Sequence, residues 1–221
     1  MGGDESVELR PAATVIVALP GTPGVEILML RRSGKSRFLP GYLVFPGGAV
    51  DEGDSELAER WFGDRAESSR ACAIRELIEE VGLAVTLDGL RVARGRELGT
   101  VSASPPAADQ LPQISHWIAP EEVPVRFDAR FYAVAAPAGL EPSPDGAEAE
   151  GAWFARPSDL LDDYAAGRCS LYWPTMKTLK GLARCDSVRS VLALDLPAIE
   201  DDEPDDPQPS GAPAPEVGQG R

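Results

Sequence analysis

The fold of this chain is decided by two stretches, FPGG at Phe45–Gly48 and RELIEEVGL at Arg75–Leu83. The second stretch spaces Glu76, Glu79 and Glu80 three and four residues apart, so that they share one face of an α-helix. The residues of the opposite stripe are all apolar: Ala71, Ile74, Leu77, Ile78 and Val81. The pattern predicts a helix over Ser68–Val81 that packs on a core by one face and presents carboxylates on the other.

This carboxylate face is unfavourable for stability alone. Gly82 is typical of the residue after a helix end, and a helix C-terminus favours cations by about 0.3–1 kcal/mol. Glu76 and Glu80 form a like-charge pair that costs about 0.2–0.5 kcal/mol, and Arg75 offsets only part of this repulsion. A divalent cation would turn the repulsion into coordination, and oxygen ligands suit Mg²⁺ or Mn²⁺.

A solvated acidic helix without a metal is the competing interpretation, since glutamate is a good helix former. The glycine-rich turn upstream decides against it. Glycines allow a backbone carbonyl to approach a bound ion, and the turn and the helix together therefore predict a metal site.

With these residues the chain resembles the Nudix hydrolases, whose signature reads G-x5-E-x7-R-E-U-x-E-E-x-G-U, with U an aliphatic residue. Gly48 matches the first glycine, and the run from Glu67 to Leu83 matches every later position. The eighteen residues Ala49–Ala66 separate these two parts where the signature has five. The extra residues predict a further short helix around Ser55–Gly63.

Without the insertion, the signature glutamate would fall at Asp54. Phe62, however, then stands where the signature requires arginine. The insertion therefore leaves the path of the loop open, while the helix with its glutamates is unaffected.

The resemblance implies an α/β fold, namely an α/β/α sandwich with a mixed β-sheet, and Mg²⁺- or Mn²⁺-dependent hydrolysis of a phosphoanhydride bond. We assign Glu76 and Glu80 as the main metal ligands and Glu79 as the third ligand or the activator of water. Arg75 completes this catalytic set by orienting the glutamates. By resemblance, Gly47 offers its backbone carbonyl to the metal.

Family members often carry a late acidic residue shortly before a tryptophan. Glu148 and Glu150 both precede Trp153, and Glu150 is our first choice for this catalytic position. An ordinary loop glutamate is the alternative interpretation of Glu150.

A second resemblance concerns the substrate. The run from Leu28 to Gly48 is similar to the LLTxRS-x3-R-x3-G-x3-FPGG signature of coenzyme A diphosphatases, with departures at Met29 and Leu30. Arg32 and Arg37 stand just before the metal turn, where guanidinium groups can bind the 3′-phosphate or the pyrophosphate bidentately. The alternative is that Arg32 caps a strand end and Arg37 is a surface loop residue.

Three later segments, His116–Pro120, Arg126–Phe131 and Trp173–Thr175, look like the animal peroxisomal acyl-CoA branch of the Nudix hydrolases. Members of that branch also carry an insertion inside the signature. His116, the single histidine, is a candidate base, but we interpret it as a strand residue that packs beside Trp117.

Coenzyme A or acyl-CoA is therefore the predicted nucleotide substrate, cleaved to 3′,5′-ADP and (acyl-)4′-phosphopantetheine. A diphosphatase for ADP-ribose, NADH or dinucleoside polyphosphates is the alternative enzyme. The alternative from another class is a non-catalytic Nudix-fold module that senses a nucleotide. The retained glutamates favour catalysis.

Composition restricts the partners. A net charge of −15 argues against binding a nucleic-acid backbone. The longest apolar run, Ala12–Leu19, is too short to cross a bilayer. Three cysteines and one histidine argue against a disulfide framework and a zinc site, so we expect reduced thiols and a cytoplasmic protein. The oligomeric state is left open, with a homodimer among the options.

We expect one Nudix hydrolase domain over residues 1–196 and a disordered, acidic, Pro-rich tail over residues 197–221, which contains almost no large apolar side chain. The predicted segments are a hairpin of Ala12–Leu19 with Val25–Arg31, strands at Tyr42–Phe45, Arg91–Leu98, Gln113–Ile118, Arg130–Ala136 and Gly151–Phe154, a loop over Ser104–Gln113, and helices at Pro157–Ala166 and Pro174–Arg184.

Overall fold

The computed structural model describes residues 9–93, 95, 98–119 and 126–197 of the 221-residue chain. Apart from its first residue, the predicted tail over 197–221 lies outside the described residues. Within the described part of the chain, no helix is long and apolar enough to cross a membrane.

A mixed β-sheet forms the centre of the molecule. Its strands are β1 (Leu9–Pro20), β2 (Val25–Arg32), β3 (Leu43–Val44), β4 (Gly47–Ala49), β7 (Gln113–Ile118), β8 (Arg126–Ala135) and β9 (Ala149–Ala155), while β5 (Leu83–Thr86) and β6 (Gly89–Val92) form a separate hairpin. The strand order is β3-β2-β1-β8-β7, with β4 on β1 and β9 on β2. β1 and β8 run parallel and the other pairs are antiparallel.

Helices cover both faces of this sheet. They are α1 (Glu52–Phe62), α2 (Ser68–Val81), α3 (Gly99–Ala103), α4 (Pro157–Ala165), α5 (Trp173–Leu182) and α6 (Val188–Leu192). Alternate residues of β1 point to opposite faces, so that Ala13 and Val15 join one core with α1 and α2, whereas Ile16 joins a second core with α4 and α5. The predicted α/β/α sandwich with a mixed sheet is confirmed.

Most predicted segments occur close to their expected bounds. The turn after Pro20 closes the β1–β2 hairpin, with Pro20 opposite Val25. The helix α2 begins at Ser68 and ends at Val81, as its apolar stripe predicts. The insertion forms the helix α1, which buries Leu57 and Trp61.

The strand predicted over Arg91–Leu98 is wrong. β6 ends at Val92, residues 94, 96 and 97 lie outside the described residues, and Leu98 precedes the short helix α3. The β5–β6 hairpin, α3 and α6 were not predicted. The two helices have five residues each, which is too few to show a helical periodicity.

The position of the glycine turn follows from the two strands that pair with different parts of β1. β2 pairs with β1 at Ala18–Pro20, whereas β4 pairs with β1 at Ala12–Thr14. The turn at Pro46 is held there, since the N–H of Val15 donates to the Pro46 carbonyl at 2.9 Å. The turn therefore lies at the end of the sheet where β2 leaves β1, directly under α2.

Candidate metal centre

The helix α2 carries the acidic residues that the sequence singled out. Its apolar stripe is fully buried, while Glu79 is half exposed and Glu80 is only 5% exposed. The helix ends at Gly82, whose φ of +68° is left-handed and whose N–H donates to the Ile78 carbonyl at 2.9 Å. The acidic face is thus fixed in position by the buried face behind it.

Glu80 is a buried carboxylate that contacts the glycine turn. Its Oε2 accepts the N–H of Gly47 at 3.0 Å, and none of the ion pairs in the described part of the chain includes Glu80. Burial raises the pKa of Glu80 to about 8, and the Gly47 hydrogen bond opposes this shift. The charges of Glu76 and Glu148 raise the pKa further, whereas that of Arg32 lowers it.

Glu76 lies against the next residue of the turn. A Cβ atom on Gly48 would lie 2.6 Å from the Cδ atom of Glu76, so any other residue at this position would displace the carboxylate. Gly47 is restricted as well, with a φ of +154° and a position where a Cβ would lie 2.8 Å from the Cα of Thr14. Burial raises the pKa of Glu76 and the charge of Arg75 opposes this.

Arg75 joins the parts of the site. Its Nη1 donates to Glu76 Oε1 at 2.8 Å and to Glu79 Oε2 at 3.0 Å, and its Nη2 donates to the carbonyl of Ala49 at 3.2 Å. Burial alone would lower the pKa of Arg75, but the hydrogen bond to Asp54 and the charge of Glu76 raise it above its ordinary value. The guanidinium is therefore charged, and it contacts two of the three carboxylates predicted as metal ligands.

Asp54 is a residue of the site that was not predicted. Its side chain is fully buried, its Oδ1 accepts Arg75 Nε at 2.8 Å and its Oδ2 accepts Arg75 Nη2 at 3.0 Å. Glu67, which matches the signature glutamate by its distance from Arg75, binds Arg70 instead. The spacing Gly48-x5-Asp54 was the available signal.

The late acidic residues occupy different surroundings. Glu150 Oε1 accepts the backbone N–H of Gly34 at 2.9 Å and the hydroxyl of Ser33 at 3.3 Å, so the loop after β2 holds this carboxylate. Glu148 is the one whose charge acts on both Glu76 and Glu80. Glu148 is therefore a second candidate for the late acidic residue, and the assignment of Glu150 stays a prediction.

The two predicted substrate arginines share the loop between β2 and β3. Arg32 is half-buried, its Nε donates to the Phe38 carbonyl at 3.0 Å, and its charge acts on Glu80. Arg37 is exposed in the same loop. The structure thus places Arg32 near Glu80 and leaves Arg37 exposed to solvent in the same loop.

His116 is remote from the glutamates. It lies in β7, as predicted, and pairs with Asp128 of β8. Trp117, the next residue of the strand, is buried in the second core on the opposite face. Around the glycine turn the strands follow the order β4-β1-β8-β7. Three strand spacings of about 4.8 Å therefore lie between the turn and β7, which is a distance of about 14 Å. A cavity of about 370 Å³ beside Gly24 and Arg156 is also remote, since it lies at the opposite end of β2.

The residues at the turn fit a divalent cation with oxygen ligands. Within the described ranges, no three Asp, Glu, His or Cys side chains converge as a ligand set. The glutamates instead accept hydrogen bonds from Arg75 and from the Gly47 N–H. The cradle that Gly48 leaves for Glu76, and the buried carboxylate of Glu80 beside it, nevertheless match Mg²⁺ or Mn²⁺ in ligand type.

Comparisons with known proteins identify the fold and the family. A family model of the NUDIX domain matches residues 8–168. The chain is 29% identical over 192 residues to the Caenorhabditis elegans protein named "Putative nudix hydrolase 7", covering 79% of this chain and 61% of that protein. It is 29% identical over 158 residues to an acyl-coenzyme A diphosphatase of Gallus gallus, covering 49% of this chain and 40% of that protein. The chain thus spans about three fifths and two fifths of these relatives.

Among solved structures, the chain is similar to a NUDIX hydrolase from Alicyclobacillus acidocaldarius. The TM-score is 0.72 at 29% sequence identity, and the match covers 86% of this chain and 98% of that chain. The predicted Nudix hydrolase is therefore confirmed at the level of the family, with the glycine turn and α2 inside the matched residues. Because the family model matches well over half of its length, the chain belongs to the Nudix family.

Proposed function

We propose that this protein hydrolyses a phosphoanhydride bond in a nucleoside diphosphate-X compound, with coenzyme A or acyl-CoA as the preferred substrate. The observation that carries the proposal is the packing of Glu76 and Glu80 against Gly47 and Gly48, with Arg75 fixing Glu76 from the other side. Glu76, Glu80, Glu79 and the Gly47 carbonyl would hold Mg²⁺ or Mn²⁺. When bound, such an ion neutralises charge on phosphate oxygens and lowers the pKa of water.

The chain's own carboxylates divide the remaining tasks. Glu80 is buried and fixed by the Gly47 N–H, which suits a ligand that does not move. Glu79 is half exposed and Arg75 binds its Oε2, so Glu79 is the third ligand or the acceptor of the proton from the attacking water. Glu148, whose charge acts on Glu76 and Glu80, is the second candidate for accepting that proton.

The substrate assignment rests on the two arginines of the loop between β2 and β3. Arg32 carries a positive charge near Glu80, and Arg37 is exposed in the same loop. Together they favour a substrate with more negative charge than an ADP-sugar, and coenzyme A carries an additional 3′-phosphate. The similarity to the acyl-coenzyme A diphosphatase supports this choice. The three free cysteines fit the proposed cytoplasmic location.

Two other functions compete with this one. ADP-ribose, NADH or dinucleoside polyphosphates would use the same metal centre and need no contact with a 3′-phosphate. A nucleotide-sensing module would need no glutamate ligands at all, and this chain has Glu76, Glu79 and Glu80 in place. Catalysis is therefore the preferred proposal.

One substrate panel tests the proposal. The purified protein is incubated with CoA, acetyl-CoA, dephospho-CoA, ADP-ribose, NADH and diadenosine polyphosphates, with Mg²⁺ and with Mn²⁺, and products are separated by chromatography. We expect 3′,5′-ADP and 4′-phosphopantetheine from CoA, formed only with metal. Faster cleavage of ADP-ribose or NADH would overturn the CoA assignment, and no cleavage of any compound would overturn catalysis.

A further inference from the structure

The insertion helix α1 begins with a residue that contacts the metal centre. Asp54 lies in the first turn of α1, and both of its carboxylate oxygens bind the guanidinium of Arg75. The same guanidinium binds Glu76 and Glu79. One hydrogen-bonded chain therefore runs from α1 through Arg75 to two of the proposed metal ligands.

The carboxylate of Asp54 is fixed more firmly than a surface residue would be. It is fully buried, and its Oδ2 also accepts the backbone N–H of Asp51 at 2.8 Å. Behind it, Leu57 and Trp61 anchor α1 in the core, and Trp61 Nε1 donates to the hydroxyl of Ser102 at 3.1 Å. Planar, two-point pairing of a carboxylate with arginine fixes the orientation of the guanidinium as well as its charge.

Sequence spacing offers two residues for this role, and the structure distinguishes them. Asp54 has the correct distance from Gly48, whereas Glu67 has the correct distance from Arg75. Glu67 precedes α2, is about one-third exposed, and pairs with Arg70. Arg70 in turn donates to the Leu111 carbonyl and lies over the ring of Tyr132, which places this pair on another side of α2.

We infer that Asp54 is the positioning residue for Arg75, and through Arg75 for Glu76 and Glu79, so that the insertion is the segment Ser55–Glu67. The first turn of α1 then belongs to the metal centre, and only the rest of α1 and the segment up to Glu67 is additional. This inference rests on the proposed metal site. It assigns no such role to Glu67, although Glu67 fits the family signature by its spacing.

The test compares Asp54→Asn, Glu67→Gln and Leu57→Ala in the full chain. Asparagine keeps the size of Asp54 but presents an amide in place of one Arg-binding oxygen. Leu57→Ala removes core packing while both hydrogen bonds from Arg75 to Asp54 stay in place, so it measures the effect of lost stability alone. The readouts are kcat at saturating Mg²⁺, the Mn²⁺ dissociation constant measured by electron paramagnetic resonance without substrate, and the melting temperature.

We expect Asp54→Asn to weaken Mn²⁺ binding and to lower kcat by about 10–100-fold each, as for the loss of a group that orients metal ligands. Glu67→Gln should stay within about twofold of the unchanged protein in both readouts, since Glu67 pairs with Arg70 and not with Arg75. Leu57→Ala should lower the melting temperature and leave Mn²⁺ affinity unchanged. Asp54→Glu, which keeps the charge, should recover part of the Mn²⁺ affinity.

Several results would overturn the inference. The first is that Asp54→Asn binds Mn²⁺ as tightly as the unchanged protein. The second is that Glu67→Gln loses more Mn²⁺ affinity than Asp54→Asn does. The third is that Leu57→Ala loses Mn²⁺ affinity together with melting temperature. If Asp54→Asn does not fold, Asp54→Glu and Arg75→Lys are measured instead, and a Mn²⁺ affinity unchanged in both contradicts the inference. A protein that binds Mn²⁺ but cleaves no nucleotide would refute only the proposed function.

Discussion

Replacing Gly48 by alanine probes the contact between the glycine turn and Glu76. The added Cβ would lie 2.6 Å from Glu76 Cδ, whereas an ordinary contact needs at least 3.4 Å, so the carboxylate must retreat by about 0.8 Å. A displacement of about 1 Å in a catalytic group costs about 10²-fold in rate, which equals about 2.7 kcal/mol of transition-state stabilisation. We expect kcat to fall by about this factor and Mn²⁺ binding to weaken.

The matched control is Gly53→Ala in α1. A Cβ on Gly53 would meet no atom within 4 Å, and alanine is the better helix former. Turnover of CoA is followed by chromatography at saturating Mg²⁺, and circular dichroism verifies that both variants fold. If Gly48→Ala and Gly53→Ala turn over equally fast, Glu76 is not held against the turn and the geometry of the proposed centre is wrong.

Three further predictions follow from the centre and its surroundings. The unchanged protein should prefer CoA over dephospho-CoA by ~10–100-fold, since one charge-assisted contact is worth about 1.5–3 kcal/mol, and Arg37→Ala should remove most of this preference. If the ratio of kcat/KM for CoA to kcat/KM for dephospho-CoA is unchanged in Arg37→Ala, Arg37 does not bind the 3′-phosphate. Because the pKa of Glu80 is raised to about 8, metal-free protein carries a proton there at pH 7, and Mg²⁺ binding should release up to about one proton. Calorimetry in buffers of different ionisation enthalpy measures this proton release. Glu80→Gln should abolish the release, and in the unchanged protein the release should decrease as the pH rises above 8. Removal of residues 197–221 should leave melting temperature and turnover unchanged, because that composition buries little apolar area; a large drop in either would show that the segment packs on the domain.

Much of the centre was predictable because it is local in sequence. The periodicity of α2 fixes its bounds and its acidic face, and the two glycines before it mark the turn. A repeat of 3.6 residues and a turn signal are strong patterns over about 14 residues.

The remaining contacts depend on tertiary structure. Asp54 and Glu67 satisfy the spacing rule equally well, and only the packing of α1 against α2 brings Asp54 to Arg75. Glu150 differs from Glu148 in its hydrogen bonding, because its side chain accepts the backbone N–H of Gly34 in the loop after β2. The β5–β6 hairpin escaped prediction although Asp88-Gly89 is a hairpin turn signal, because its strands are four residues long and Leu83–Thr86 shows no alternation of apolar and polar residues.

The measurement that tests the central claim most directly is the turnover of Glu76→Gln and Glu80→Gln at saturating Mg²⁺. Each substitution keeps the shape of the side chain and removes the charge of a proposed metal ligand. The predicted result is a fall of at least ~10²-fold in hydrolysis with the fold intact, since metal ligands act on the transition state. Turnover close to that of the unchanged protein in either variant would contradict the assignment of the metal centre.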